Sequence, residues 1–106
     1  MPRKPIVGGN WKCNPADHKT LPELVGYINA CDTSKCDVYV CPSNLHVGMV
    51  FESFTNGACV APQNCNFKGC GAYTGELAAE QITLSECRSA PALLELSSCL
   101  IQLLPY

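Results

Sequence analysis

Apolar residues along the chain fall into short runs that polar loops separate. The run over 6–9 ends in the polar residues Asn10 and Lys12, which predicts a buried parallel strand whose carboxyl end opens into a loop. Further apolar runs over 37–43 and 58–61 predict a second and a third strand. Because helices are expected between these strands, their pairing should be parallel, and the pattern predicts an α/β fold.

Two helices are predicted between the strands. Thr20 is followed three residues later by Glu23, the spacing of a capping box that satisfies free backbone donors at a helix start. Apolar residues then recur at the spacing that lines one helical face, and this pattern ends near Ala30. A second, shorter helix is predicted over 45–54, ended by the asparagine–glycine pair at 56–57.

Composition and charge exclude several classes of protein. The 106 residues are 47% hydrophobic and 15% charged, which describes one globular domain or a piece of one. A net charge of -2 leaves no basic surface for nucleic acid or an anionic membrane. No apolar run approaches the roughly 20 residues that cross a bilayer, and the first residues do not resemble a signal peptide. We therefore expect no nucleic-acid or membrane partner and a cytoplasmic location.

The cysteine content requires a separate interpretation. The chain has nine cysteines, an odd number, and no two of them form a Cys-x-x-Cys pair. Without a secretory signal, reduced structural thiols are favoured over a disulfide scaffold or a zinc site. His18 and His46 are far apart and have no partner at ligand spacing, so no metal site is predicted. A disulfide or metal module is the third alternative among the functional classes.

Two segments resemble triosephosphate isomerase: Gly-Gly-Asn-Trp-Lys-Cys-Asn at 8–14 and Gln-Asn-Cys-Asn-Phe-Lys-Gly-Cys-Gly-Ala-Tyr-Thr-Gly-Glu at 63–76. The resemblance extends from about Arg3 to Gln81, and residues 41–46 are similar to the family's second strand and loop. It implies a partial (β/α)8 barrel, the first three parallel strand–helix units of a fold that usually has about 250 residues. Residues 1–81 are interpreted as the N-terminal part of this barrel.

The resemblance also implies a function. Members of the family interconvert dihydroxyacetone phosphate and glyceraldehyde 3-phosphate in glycolysis and gluconeogenesis, as a cytosolic homodimer without cofactor or metal. Asn10 and Lys12 match the family motif and carry over as substrate-binding residues. Lys12 also carries over as an electrostatic catalytic residue, since a compact ammonium can stabilise negative charge on an enediolate or a phosphate. Strand side chains alternate, so Trp11 should point the other way, into the core.

The glycine-rich segment at 67–76 has a different implied role. No Gly-Lys-Ser/Thr sequence follows it, so a phosphate-binding loop is a weak interpretation. In the family this loop projects into a pocket beside the active site of the other subunit, and Thr74 matches the residue that reaches across. Glu76 belongs to the same dimer loop. The alternative is an ordinary mobile loop tip.

Residues 82–106 depart from the family pattern. A leucine-rich stretch between Pro91 and Pro105 fits a helix that would cap the sheet. The favoured interpretation is instead an out-of-frame or mis-spliced stretch that happens to be rich in leucine. The family's catalytic histidine would lie soon after Gln81, and its glutamate and phosphate loops belong to later strands. We therefore expect the chain alone to be inactive and to aggregate or fold partially through its open sheet edges. The alternative function is a non-catalytic fragment that binds full-length isomerase or interferes with it.

Overall fold

The chain divides into two compact units, Met1–Gln63 and Asn64–Tyr106. The computed structural model describes residues 3–85. The predicted tail helix between Pro91 and Pro105 lies outside the described residues, and the predicted domain boundary after Gln81 stays a prediction.

The first unit contains a sheet of three parallel strands, in the order β1, β2, β3. The strands are β1 (Ile6–Asn10), β2 (Asp37–Cys41) and β3 (Cys59–Val60). β1 pairs with β2 from Ile6 opposite Asp37 to Asn10 opposite Cys41, so their carboxyl ends are level. The predicted α/β fold with parallel pairing is confirmed, and the open sheet is consistent with a partial barrel.

The first helix, α1 (Leu21–Asn29), follows β1 after a short 3-10 helix over His18–Thr20. The capping box predicted at Thr20 is wrong. The backbone of Thr20 is already helical, and its hydroxyl donates to the Asp17 carbonyl oxygen at 2.7 Å. The Asp17 carboxylate instead accepts from the Lys19 backbone N–H at 2.9 Å. The additional 3-10 turn thus moves the cap to Asp17, because the first free donors belong to that turn.

The second helix is much shorter than predicted. Instead of residues 45–54, α2 spans only Val47–Val50. Leu45 is 84% exposed and Met49 is 57% exposed, whereas the first and last residues of the turn are buried. Only one turn therefore has apolar surface to bury, and little packing stabilises a longer helix.

The core of the first unit lies between β2, β3 and the two helices. Val40 of β2 is 2% exposed and Val50 of α2 is 1% exposed. The buried cluster comprises Leu21, Val40, Val47, Val50 and Val60, with Trp11, Val25, Ile28 and Phe54 packed against it. Trp11 contributes to this core as predicted, while the sheet supplies the central valines.

β1 is less buried than predicted. Ile6 is 51% exposed and Val7 is 55% exposed. Within residues 3–85, β1 pairs only with β2, so its outer edge has no neighbouring strand. The apolar sequence of β1 fits a strand that is covered on both faces, and the described residues cover only part of it.

The side chains of two asparagines form hydrogen bonds between the end of α1 and the connection from α2 to β3. The Asn56 side-chain amide donates to the carbonyl oxygens of Ile28 at 2.8 Å and Cys31 at 3.1 Å. Asn29 Oδ1 accepts from the Thr55 backbone N–H at 2.8 Å. These side-chain hydrogen bonds hold the end of α1 against the segment that leads into β3.

The second unit, as described over residues 64–85, is a long loop followed by α3 (Ala79–Ser85). The Asn66 backbone N–H donates to the Leu77 carbonyl oxygen at 2.8 Å and closes the base of the loop. Ala78 and Ile82 are its buried apolar residues within this part. Over residues 3–85, no helix combines the length and the apolarity that crossing a bilayer requires.

Candidate functional site

The candidate site lies where β1, β2 and β3 end. Carboxyl ends of parallel strands meet at one edge of a sheet, and the pairing of β1 with β2 continues past Asn10, since the Trp11 backbone N–H donates to the Cys41 carbonyl oxygen at 3.0 Å. The chain then turns at Lys12. The sequence-predicted residues Asn10 and Lys12 are therefore held at the edge of the sheet where barrel enzymes build their active sites.

Lys12 has an unusual backbone conformation. Its φ is 57°, in the left-handed region that residues other than glycine rarely adopt. The Lys12 backbone N–H donates to Asn10 Oδ1 at 2.8 Å, and the Lys12 carbonyl oxygen accepts from Gln63 Nε2 at 2.7 Å. Both polar groups of the Lys12 backbone thus have a side-chain partner.

Gln63 connects the ends of all three strands. Besides Lys12, its Nε2 donates to the Cys41 carbonyl oxygen at 2.9 Å, and Gln63 itself follows shortly after β3. Gln63 was not among the site residues predicted from the sequence. The feature of the sequence that could have indicated it is an amide side chain shortly after a predicted strand, at the start of the second family-like motif.

No carboxylate pairs with the Lys12 ammonium in the described part of the chain. Its residue is exposed, and within residues 3–85 no Asp or Glu oxygen lies within 4.0 Å of Nζ. In that part of the chain Lys4 forms an ion pair with Asp37 at 3.0 Å, and His18 Nδ1 lies 3.7 Å from Asp17 Oδ1. An unpaired, exposed ammonium can bind an anionic ligand without first breaking an ion pair.

Asn10 offers one further donor at the same place. Its Oδ1 is occupied by the Lys12 backbone, whereas no acceptor for Nδ2 lies among the described residues. The side chain can therefore hold Lys12 with its oxygen and donate a hydrogen bond to a ligand with its nitrogen.

The two histidines lie at other places. His18 is exposed beside Asp17, and His46 is half-buried at the residue before α2. His46 Nδ1 is buried and has no hydrogen-bond partner in the described part of the chain. No cluster of three or more His, Cys, Asp or Glu residues suited to a metal ion occurs within residues 3–85.

The described cysteines are thiols in different environments. They are Cys13, Cys31, Cys36, Cys41, Cys59, Cys65 and Cys70. Burial raises the pKa of the Cys41 thiol, which lies in the core at the end of β2. Burial, together with the nearby Glu80 carboxylate, also raises the pKa of Cys65. Both thiols are therefore less ionised than an ordinary cysteine, which disfavours nucleophilic chemistry there.

The predicted dimer loop contains an ordered turn over residues 73–76. The Glu76 backbone N–H donates to the Tyr73 carbonyl oxygen at 3.1 Å. Gly75, in the third position, has a φ of 83°, which only glycine adopts readily. Thr74, in the second position, is exposed. The turn thus presents the Thr74 side chain to the outside of the second unit.

Aromatic residues surround a cation in the same loop. Lys68 Nζ lies 5.8 Å from the centroid of the Phe67 ring and 5.9 Å from that of Tyr73. Phe67 is 88% exposed and Tyr73 is 42% exposed. The loop thus exposes two aromatic rings next to an ordered turn.

Parallel strands joined through helices, with polar side chains gathered at their carboxyl ends, place the chain in the α/β class and are consistent with part of a barrel. Comparison with known proteins then gives the family. The family model for triosephosphate isomerase matches residues 5–90. The chain belongs to the triosephosphate isomerase family.

Curated relatives agree with this assignment. The chain is 38% identical over 84 residues to triosephosphate isomerase from Coprinopsis cinerea, a match that covers 78% of this chain and 34% of the relative. It is 38% identical over 84 residues to chloroplastic triosephosphate isomerase from Secale cereale, covering 78% of this chain and 28% of the relative. The Hahella chejuensis enzyme is 33% identical over 86 residues, which cover 80% and 35% of the two chains. The chain thus spans about a third of the length of these relatives.

Proposed function

We propose that this chain supplies the substrate-anchoring part of a triosephosphate isomerase site, in which Lys12 and Asn10 bind a triose phosphate. The observation that carries the proposal is the Lys12 ammonium next to the Asn10 amide nitrogen at the carboxyl end of β1, both without a partner among residues 3–85. Membership of the family supplies the reaction class, the interconversion of dihydroxyacetone phosphate and glyceraldehyde 3-phosphate.

The proposed role of Lys12 follows from the charges in this reaction. Removing a proton next to a carbonyl leaves negative charge on the substrate oxygens, and the substrate also carries a phosphate dianion. An ammonium that is already in place lowers the energy of this charge without reorganising water. The Asn10 amide would donate a hydrogen bond to the same substrate. The proposed chemistry requires no cofactor.

Two further groups are needed for turnover. In triosephosphate isomerase a glutamate is the base and a neutral histidine polarises the carbonyl. Neither His18 nor His46 lies in a segment that matches the family's catalytic histidine. We therefore expect the 106-residue chain to bind a triose phosphate but not to isomerise it.

Calorimetric titration of the chain with dihydroxyacetone phosphate tests the proposal. Lys12→Ala should weaken binding by about 10- to 100-fold, because it removes one charge-assisted hydrogen bond. Lys35→Ala is the matched control, since Lys35 is also exposed but precedes β2, at the opposite end of the sheet. Equal affinities for Lys12→Ala and the unmodified chain would contradict the proposal, as would an equal loss in both variants.

We also propose that the loop carrying Thr74 and Glu76 contacts a second isomerase subunit, either a copy of this chain or a full-length enzyme. The exposed aromatic rings and the ordered turn support this partner. In co-purification with tagged full-length isomerase, Thr74→Arg should reduce retention of the chain. Thr55→Arg, also at an exposed position, should not. Equal retention of both variants would contradict the proposed contact.

A cytoplasmic location is likewise proposed. Membership of the family supports it, whereas one relative is described as chloroplastic. Fractionation of cells that produce the chain separates these possibilities, and recovery in an organelle would contradict the proposal.

A further inference from the structure

We propose that Asn10 and Gln63 are positioning residues that hold Lys12 in its left-handed backbone conformation and so direct its ammonium towards the ligand. This inference rests on the proposed function, because the ligand in question is the triose phosphate. Gln63 is new to the site, and Asn10 gains a second role besides its proposed contact with substrate.

The conformation of Lys12 needs external support. A lysine at a φ of 57° has a clash between its Cβ and its own backbone, so an isolated peptide would relax to a negative φ. Such residues persist only where surrounding groups fix them. Relaxation would turn the side chain to another direction, since the Cβ direction follows the backbone dihedral angles.

The two hydrogen bonds act on both sides of the Lys12 α-carbon. Asn10 Oδ1 holds the N–H at 2.8 Å and Gln63 Nε2 holds the carbonyl oxygen at 2.7 Å. Both distances are in the range of well-formed bonds. Because the two groups of one residue are fixed separately, φ and ψ of Lys12 are restrained together.

Gln63 can act as a fixed support because it is anchored to the sheet. Its Nε2 donates at the same time to the Cys41 carbonyl oxygen at 2.9 Å, and that oxygen also accepts from the Trp11 backbone N–H at 3.0 Å. The hydrogen bond to Cys41, 22 residues away along the chain, therefore fixes the position of the Gln63 amide at the end of β2. Movement of Lys12 would require breaking a contact with the sheet.

The oxygen and the nitrogen of the Asn10 side-chain amide have different proposed roles, positioning of Lys12 and contact with the ligand. Its oxygen holds the Lys12 backbone, and its nitrogen has no acceptor among residues 3–85. Asn10→Asp keeps the oxygen acceptor and loses the nitrogen donor, whereas Asn10→Ala loses both. This pair of variants separates positioning from ligand contact.

NMR spectroscopy of the 106-residue chain tests the inference. A positive φ brings the amide and α protons of one residue close together, so Lys12 should show a strong intraresidue nuclear Overhauser effect. The signal should persist in Asn10→Asp and weaken in Asn10→Ala and in Gln63→Met. Affinity for dihydroxyacetone phosphate should fall by about tenfold in Gln63→Met, in proportion to the fraction of chains that keep the left-handed conformation.

The outcomes are distinct. A strong Lys12 signal in both Asn10→Ala and Gln63→Met, or its absence from the unmodified chain, would overturn the inference. Loss of thermal stability with an unchanged Lys12 signal would assign Gln63 a structural role only and would also overturn it. If Gln63→Met loses the amide signals of the sheet, Gln63→Asn and Asn10→Ala give the same comparison. A chain that keeps the signal but binds no triose phosphate refutes the proposed function instead.

Discussion

Replacing Gln63 with glutamate tests how strongly this side chain stabilises the first unit. The substitution keeps the shape of the side chain but replaces the donor Nε2 with an oxygen. That oxygen would face the carbonyl oxygens of Lys12 and Cys41, which now lie 2.7 and 2.9 Å from Nε2. We expect the free energy of unfolding to fall and to become dependent on pH.

The magnitude follows from the bonds that are lost. The Cys41 carbonyl oxygen keeps the Trp11 backbone N–H as a donor at 3.0 Å, so the cost falls mainly on the Lys12 carbonyl oxygen and on the new carboxylate. Two lost hydrogen bonds and one poorly solvated charge correspond to about 2–3 kcal/mol at neutral pH. In urea this lowers the unfolding midpoint by about 1–2 M for a chain of this size.

The pH dependence has a defined sign. Facing two carbonyl oxygens raises the pKa of the new carboxyl above its unfolded value, because the charged form is disfavoured and the protonated form can donate. The native state then binds more protons than the unfolded state, so stability falls as pH rises through the folded-state pKa. The deficit of Gln63→Glu against the unmodified chain should be smaller at about pH 4 than at about pH 8.

Urea unfolding at several pH values measures this deficit. Asn64→Asp is the control, because Asn64 is exposed, and its Oδ1 accepts from the Cys65 backbone N–H at 2.8 Å, a hydrogen bond that a carboxylate oxygen can accept equally well. Its stability should change by no more than about 0.5 kcal/mol. A Gln63→Glu deficit that is absent, or the same at every pH, would refute the hydrogen-bonding scheme.

Three further predictions concern the core, α1 and the thiols. Val50→Ala should lower the free energy of unfolding by about 2 kcal/mol, because Val50 is 1% exposed. Met49→Ala, at a 57% exposed position, should change it little, and equal urea midpoints for the two variants would contradict this prediction. Gly26→Ala should raise stability by about 0.5–1 kcal/mol, since no atom lies within 4 Å of the added methyl group in α1, and a lower midpoint would contradict it. Iodoacetamide should label exposed Cys13 faster than Cys41, whose pKa burial raises, and equal rates measured by mass spectrometry would contradict that.

The sequence predicted the parallel order of the strands and the position of α1, because both depend on local apolar periodicity. It was less successful where burial depends on distant residues. α2 became a single turn because Leu45 and Met49 are exposed, which an apolar pattern cannot show. β1 reads as a buried strand, yet Ile6 and Val7 are about half exposed within the part of the chain that the structure describes.

The candidate site shows the same division. Asn10 and Lys12 were predicted from a contiguous motif, and their neighbourhood at the end of β1 follows from the strand itself. Gln63 contacts the Lys12 backbone across 51 residues of sequence, and no periodicity or short motif encodes that contact. The positive φ of Lys12 was also beyond sequence reasoning, since lysine has no preference for the left-handed region.

The position of bound dihydroxyacetone phosphate on this chain tests the central claim most directly. In a structure of the complex, the account predicts Lys12 Nζ at about 3 Å from a ligand oxygen and Asn10 Nδ2 as a second donor, with Lys12 still in the left-handed conformation. A ligand bound elsewhere on the chain, with no contact to the end of β1, would contradict it.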